Sequence, residues 1–408
     1  MIPRPTPSSL LFAARFIRLF AYGSLSVVLV FYLIGIGLTQ PQAGLLLALT
    51  LFGDTAVSFL LTTHAERAGH RRMLLAGAAL MVVAGVLFAL TNTFWILLVA
   101  AVVGIISPSG QEVGPFLPIE QAMLARSTSE RNRTHVFAWY TLTGTMATAL
   151  GALTAGVVTH ALTPAVAAVD GYRTVVLLYA ALGIALLLVF CLLPQDVRSA
   201  DDSGGPFASF SGIDRSRRVV SKLSALFALD AFGGGFVAQS FAAYWFHLRF
   251  GIDAALLGPI FFAANLLAGL SALLAARLAA RFGLIRTMVW THLPSNVLLI
   301  LIPLMPTLWL AVALLMVRFS ISQMDVPTRQ SYVMTVVAPE ERAAAGGVTG
   351  IARTLGAAIS PLFVGVLFAH SSTISVPFFL AGGLKIAYDL VLYKQFVGTE
   401  PPVPAGAS

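Results

Sequence analysis

Five polar residues at helical spacing stand out in this apolar chain. They are Arg318, Ser322, Asp325, Arg329 and Tyr332, within Met316–Val337. Steps of three and four residues put them on one face of a helix. A charge at the centre of a bilayer costs roughly 2.5–3.5 kcal/mol. Three on one span therefore require a face that looks onto protein or water. A fainter copy occurs in the first half, SGQEVGPFLPIEQAML, where Glu112 stands as Asp325 does, each followed by Val and then a nearby Pro. A buried carboxyl of this kind can load and release a proton as its access to water changes; the alternative role is as an arginine's structural partner. Arg329 lies one turn beyond Asp325 and can hold it ionised. Arg353 is a competing partner, or an anchor for an anionic solute. Asp54 follows Gly53, and Asp230 precedes the run Gly233-Gly234-Gly235, which permits bending or close helix approach. The candidate substrate and proton pathway is thus Asp54, Glu112, Asp230, Asp325, Arg329 and Arg353. Glu120 is expected nearer cytoplasmic water, and Lys385 with Asp389, one turn apart, as a self-neutralising structural pair. Tyr22, Phe116, Trp139 and Tyr140 offer rings either to a planar solute or to ordinary packing.

The elements that must carry these residues follow from composition. Of 408 residues 58% are hydrophobic and only 10% charged, whereas soluble domains carry about 25% charge. A water-soluble fold is excluded on that ground. A span needs about 20 mostly apolar residues, and twelve such stretches can be placed. The first six run over residues 19–38, 42–63, 73–90, 94–124, 136–162 and 172–193. The second six run over 222–248, 254–276, 285–304, 308–336, 342–369 and 373–396. The expected fold is an all-α membrane protein of twelve transmembrane helices in two pseudo-symmetric six-helix bundles. Residues 1–194 form the first bundle, 195–221 a polar cytoplasmic linker, 222–396 the second bundle and 397–408 a disordered cytoplasmic tail. A rise of about 1.5 Å per residue puts Asp54, Glu112, Asp325 and Arg353 roughly 15–20 Å from the inner boundary, near mid-membrane.

The net charge of +8 raises nucleic acid as a partner, but its distribution argues otherwise. Of the 25 Lys and Arg, only Arg173 and Arg249 fall in the loops of one side. That is the positive-inside bias, and it places both termini in the cytoplasm. Arg15 and Arg18 are expected to hold the first span's start on that side. The single cysteine, Cys191, excludes an intramolecular disulfide. The seven histidines show no metal-type spacing, so no metal and no cofactor is expected.

The loop after the second span reads Thr62-Thr-His-Ala-Glu66-Arg67-Ala-Gly69-His70-Arg71-Arg72. It resembles the signature between the second and third helices of the major facilitator superfamily, Gly-x-x-x-Asp-Arg-x-Gly-Arg-Arg. Glu66 stands for the acid, Arg67 for the first arginine, Gly69 for the turn glycine and Arg71 for the last basic residue. The departures are Thr62 for the opening glycine, Glu for Asp and His70 for Arg. The second half echoes it more weakly in Ala276 to Arg281, Gly283 and Arg286, with Ala280 at the acid position. The resemblance implies that spans one, four, seven and ten line a cavity and that Glu66, Arg67, Gly69 and Arg71 form a cytoplasmic gate. Glu66 would face the positive end of a helix starting near Arg342. The alternative is that these arginines are positive-inside anchors. The proline-containing pattern of many exporters is absent from the fifth span, which has Gly144, Gly151 and Gly156 but no proline.

What the resemblance implies is a secondary active transporter moving a small organic solute by alternating access; the buried carboxyls point to proton coupling, and a Phe-rich, weakly polar lumen gives a slight lean to efflux. An uptake permease for an organic nutrient is the alternative. A membrane-embedded enzyme or a channel is more remote: no nucleophile–base constellation stands out, and no G-x-x-x-x-G-K-[ST] loop is present. The expected partners are the solute, protons and the lipid bilayer, with no nucleic acid and the chain a monomer. The expected location is a bacterial inner or plasma membrane.

Overall fold

The computed structural model describes residues 6–128, 130–162, 165–194, 213, 215–338 and 341–399. Among them there is helix and no strand. The helices are α1 (Pro7–Gly35), α2 (Gln40–Ala68), α3 (His70–Leu90), α4 (Phe94–Val103), α5 (Phe116–Ser127), α6 (Glu130–Leu162) and α7 (Ala168–Cys191) in the first half. The second half has α8 (Arg217–Gly235), α9 (Gln239–Phe250), α10 (Ala254–Phe282), α11 (Leu284–Leu301), α12 (Leu308–Phe319), α13 (Asp325–Val336), α14 (Arg342–Phe368) and α15 (Val376–Phe396).

Ten helical stretches are long and apolar enough to cross a membrane, and α4 and α12 are shorter apolar helices. The two spans that carry the polar faces are therefore broken. The fourth is interrupted between α4 and α5, and the tenth between α12 and α13. Prolines account for where: Pro108 and Pro115 lie in the first gap, and Pro118 and Pro327 in the opening turns of α5 and α13. There a missing N–H breaks no intrahelical bond. The continuous polar-faced helix expected over 316–337 is corrected accordingly. Arg318 closes α12, Ser322 lies in the turn, and Asp325 opens α13. Glu112 sits on no helix at all, but in the gap before α5.

Contacts divide the chain into two compact units. One comprises Met1–Gly205, Gln239–His247 and Gly251–Phe262; the other comprises Pro206–Ala238, Leu248–Phe250 and Ala263–Ser408. Inside the first, α1 packs on α6 and α7, and α3 on α7; inside the second, α8 packs on α14 and α15, and α11 on α15. The same pairings at the same ordinal positions are the three-dimensional form of the internal repeat. The loops of the signature and its echo match as well. Gly69 turns at φ 95° and Gly283 at φ 90°, a region that side-chain-bearing residues avoid. Lipid tails are as apolar as leucine, so packing and polar contacts hold such bundles together. Trp95 and Trp309, at the starts of α4 and α12, are exposed, as suits an aromatic at a membrane–water boundary.

Candidate functional site

In the first unit, α1 brings Arg15 and Arg18 to one face, and the gap before α5 brings Glu112 towards them. Arg15 Nη1 donates to Glu112 Oε2 at 2.9 Å, and Arg18 Nε to Glu112 Oε1 at 2.8 Å. Arg18 then uses both terminal nitrogens on Glu120, at 2.6 and 2.7 Å. The Tyr140 hydroxyl on α6 donates to Glu120 as well. Arg18 and Glu120 are both fully buried, whereas the Glu112 side chain is 15% exposed. Two corrections follow. Arg15 and Arg18 do not anchor a span end at the water; they are internal cations. Glu120 does not face cytoplasmic water; it is the arginine's bidentate partner, as the match between a planar fork and a carboxylate favours. The rings have their own tasks. Phe116 lies 4.6 Å beneath the Arg18 guanidinium, and Tyr140 lies 4.4 Å beneath that of Arg15. Tyr22 is fully buried and Trp139 is 53% exposed. Gly144 on α6 makes room, since a Cβ there would lie 2.7 Å from Arg15 Nε.

Asp54, on α2, is 4% exposed. Its Oδ1 accepts no hydrogen bond, and no lysine, arginine or histidine lies within ion-pair distance of it among the described residues. Arg71 donates from Nε and Nη2 to the carbonyls of Phe190 and Cys191, at 3.2 and 2.8 Å. It thereby satisfies carbonyls at the end of α7. Glu66 and Arg67 lie on α2, but their side chains fall outside the described residues.

In the second unit Asp230 on α8 is the hub. Its Oδ1 receives Lys385 Nζ at 2.6 Å and its Oδ2 receives Arg329 Nη1 at 3.1 Å. Arg329 also donates to Asp325 Oδ2 at 2.9 Å, the one-turn pair foreseen from spacing. Three of the sequence candidates thus meet, and they draw in a residue that was set aside. Lys385 does not neutralise Asp389, because the two point to different partners. Asp389 instead holds His292 and Asn296 of α11, at 2.8 and 2.9 Å. Arg353, on α14, is half-buried and makes no ion pair within 4 Å among the described residues. Sequence reasoning missed Arg15, Arg18, His292 and Asn296 as interior polar groups. Each sits near a span end or amid Ser, Thr and Pro, where a polar residue draws no notice. Among the described residues no His, Cys, Asp and Glu group could hold a metal ion.

A family model described as Major Facilitator Superfamily matches residues 11–361 and, again, 245–406. The chain is 32% identical to the uncharacterized membrane protein YJR124C of Saccharomyces cerevisiae, over 97% of this chain and 95% of that one. Among solved structures it resembles a point mutant of the nucleoside transporter NupG, at TM-score 0.78 and 13% identity, covering 96% of this chain and 100% of that one. It also resembles a bacterial homolog of the human lysosomal transporter Spinster (TM-score 0.75, 16% identity, 99% and 100% covered). A D-xylose-proton symporter is similar too (TM-score 0.72, 16% identity, 95% and 97% covered). At such identities these structures speak for the fold alone. The chain is a multi-pass membrane protein with a transporter fold, and it belongs to the Major Facilitator Superfamily.

Proposed function

We propose that this chain is a secondary active transporter that moves a small organic solute by alternating access and couples that movement to protons. The observation that supports it most is the twofold occurrence of one device: a span broken by proline, with a carboxylate at the break bound to arginine. Glu112 on Arg15 and Arg18 is one instance, and Asp325 on Arg329 is the other. Ion pairs at such a break can re-form with different partners, which is what an element with two arrangements requires. Within the pathway Asp54, Glu112, Asp230, Asp325, Arg329 and Arg353, Asp54 suits the proton. The three paired carboxylates each face a fixed cation, whereas Asp54 is buried without one. Glu66, Arg67, Gly69 and Arg71 serve as the cytoplasmic gate, with both termini in the cytoplasm. The chain's 28 phenylalanines suit amphipathic solutes and are the ground for a slight lean to export. The protein acts as a monomer and catalyses no reaction.

The first test is a thermal-shift screen of purified protein against metabolite and drug panels. A solute at 100 times its Kd stabilises by about 2.7 kcal/mol. A hit is then carried into proteoliposomes for counterflow. Saturable exchange of the unmodified solute is expected; chemical conversion of the solute, or flux that never saturates, rejects the reading. In the same vesicles Asp54→Asn is expected to keep counterflow and lose accumulation against a gradient driven by pH. Full proton-driven accumulation in that variant removes Asp54 from the role.

A further inference from the structure

The second unit contains a titratable pair that the pathway above does not use. His292 on α11 is 4% exposed and lies between two carboxylates. Its Nδ1 is 2.8 Å from Asp389 Oδ1, and its Nε2 is 3.9 Å from Asp230 Oδ1. Asp389, on α15, is fully buried. Its other oxygen accepts from Asn296 Nδ2 at 2.9 Å, and no lysine or arginine lies within ion-pair distance among the described residues. A buried carboxylate with no fixed cation is costly unless a proton is at hand to neutralise it. The imidazole is the neighbour able to supply one. The exchangeable proton is then a property of the pair and not of either member.

The opposite edge of the ring gives that proton a consequence. The Asp230 oxygen faced by Nε2 is the one that Lys385 Nζ binds at 2.6 Å, while Arg329 takes the other oxygen at 3.1 Å. A proton on Nε2 presents this oxygen with a second cation and weakens the hold of Lys385. Loss of that proton returns the oxygen to Lys385 alone. Because Arg329 also binds Asp325, one carboxylate links the ring to α8, α13 and α15. The other groups in range are few. Tyr388 of α15 meets the imidazole edge-on at 6.0 Å. Arg318, on the neighbouring α12, acts electrostatically on Asp325, and Arg353 of α14 acts on Asp230, Asp325 and Arg329. Neither arginine forms an ion pair among the described residues, so neither neutralises Asp389.

Two features of α11 serve proton movement. Pro294 lies inside the helix, two residues past His292, and its missing N–H loosens that turn. Thr287 Oγ1, Ser295 Oγ and Asn296 Oδ1 are buried without a hydrogen-bond partner among the described residues. Ser295 and Asn296 stand three and four residues past His292, on its side of the helix, where such polar atoms can bind water.

We infer that His292 and Asp389 form a proton-binding site that exchanges one proton between an imidazolium–carboxylate and a neutral imidazole–carboxylate state. Its occupancy sets whether Lys385 alone, or Lys385 together with His292, faces the Asp230 oxygen that Arg329 leaves free. Only an N–H bond is made or broken, and the proton comes from water and returns to it. The site itself needs nothing beyond the geometry of one unit; that its proton drives transport rests on the function proposed above.

The test uses the full-length chain with 15N-labelled histidine in lipid nanodiscs, the His292 signals being assigned by their loss in His292→Gln. Those nitrogens are expected to pass from imidazole to imidazolium between about pH 5 and 8. In Asp389→Asn the pH at which one signature replaces the other is expected to differ from the native one, because the facing carboxylate is gone, and Asp389→Glu restores it. A His292 fixed in one protonation state across that range overturns the site, as does an unmoved transition in Asp389→Asn. The unsubstituted protein's own titration is decisive even where a variant fails to fold. Two outcomes in proteoliposomes separate this inference from the reading it rests on. Native proton-driven accumulation that survives undiminished in His292→Gln overturns the driving role. A titrating His292 in a native protein that never accumulates solute on a pH gradient supports the site and removes proton coupling.

Discussion

Arg18 binds two carboxylates that differ in their access to water and in how they are held. Glu120 is fully buried and held by both terminal nitrogens, while Glu112 keeps 15% of its side chain exposed and shares itself between two arginines. Removing one partner of a buried pair strands the other and costs about 3–5 kcal/mol, far more than loss of a surface pair. Glu120→Gln is therefore expected to destabilise the protein by roughly that amount. Glu112→Gln should cost less, because that side chain is partly exposed and water can take its place beside Arg15 and Arg18. Denaturant unfolding of both variants in micelles checks the order, and a larger loss in Glu112→Gln would reverse the assignment of which glutamate is structural. At this scale the sequence was half legible. The pair Asp325–Arg329 can be read off its spacing because both members lie on one helix. Arg18–Glu120 and Lys385–Asp230 join residues far apart in the chain, and spacing carries no information about them. The Lys385–Asp389 expectation failed for the same reason: a favourable one-turn spacing lost to better partners on other helices.

Helices were easier to foresee than the breaks in them. Apolar length announces a span, and the twelve expected stretches correspond to the long helices plus the divided ones. The breaks before α5 and α13 had a signal in Pro108, Pro115, Pro118 and Pro327. A membrane helix also tolerates proline without breaking, however, as Pro259 in α10 and Pro361 in α14 illustrate, so the signal did not decide. What positions the first unit's arginines is the tight face between α1 and α6, and Gly144 is the part that can be tested. A side chain there would occupy the place of the Arg15 guanidinium and push it off Glu112. Gly144→Val is expected to cost about 1–3 kcal/mol, the usual penalty of overpacking. Substitutions that remove the same contact do not add. Gly144→Val with Glu112→Gln should thus cost less than the two singly, in the same unfolding assay. Strict additivity would mean that Gly144 and the ion pair are independent.

Across the whole molecule, the internal repeat is what made the fold readable. Glu112 and Asp325 occupy matching positions, Gly69 and Gly283 turn alike, and the helix pairings recur in each unit. Orientation in the membrane rests on a different quantity, the sidedness of Lys and Arg, and the chain carries a natural reporter for it. Cys191 is the single cysteine and is exposed at the end of α7. Arg71 holds its carbonyl at 2.8 Å, so the thiol lies beside the basic loop that the positive-inside bias assigns to the cytoplasm. A membrane-impermeant maleimide added to intact cells should therefore leave the protein unmodified, and the same reagent should label it once the membrane is permeabilised. Labelling of Cys191 from outside would place Arg71, and every loop on its side, across the membrane from the cytoplasm. The twelve spans would stand, but the proposed gate and both termini would then face outward.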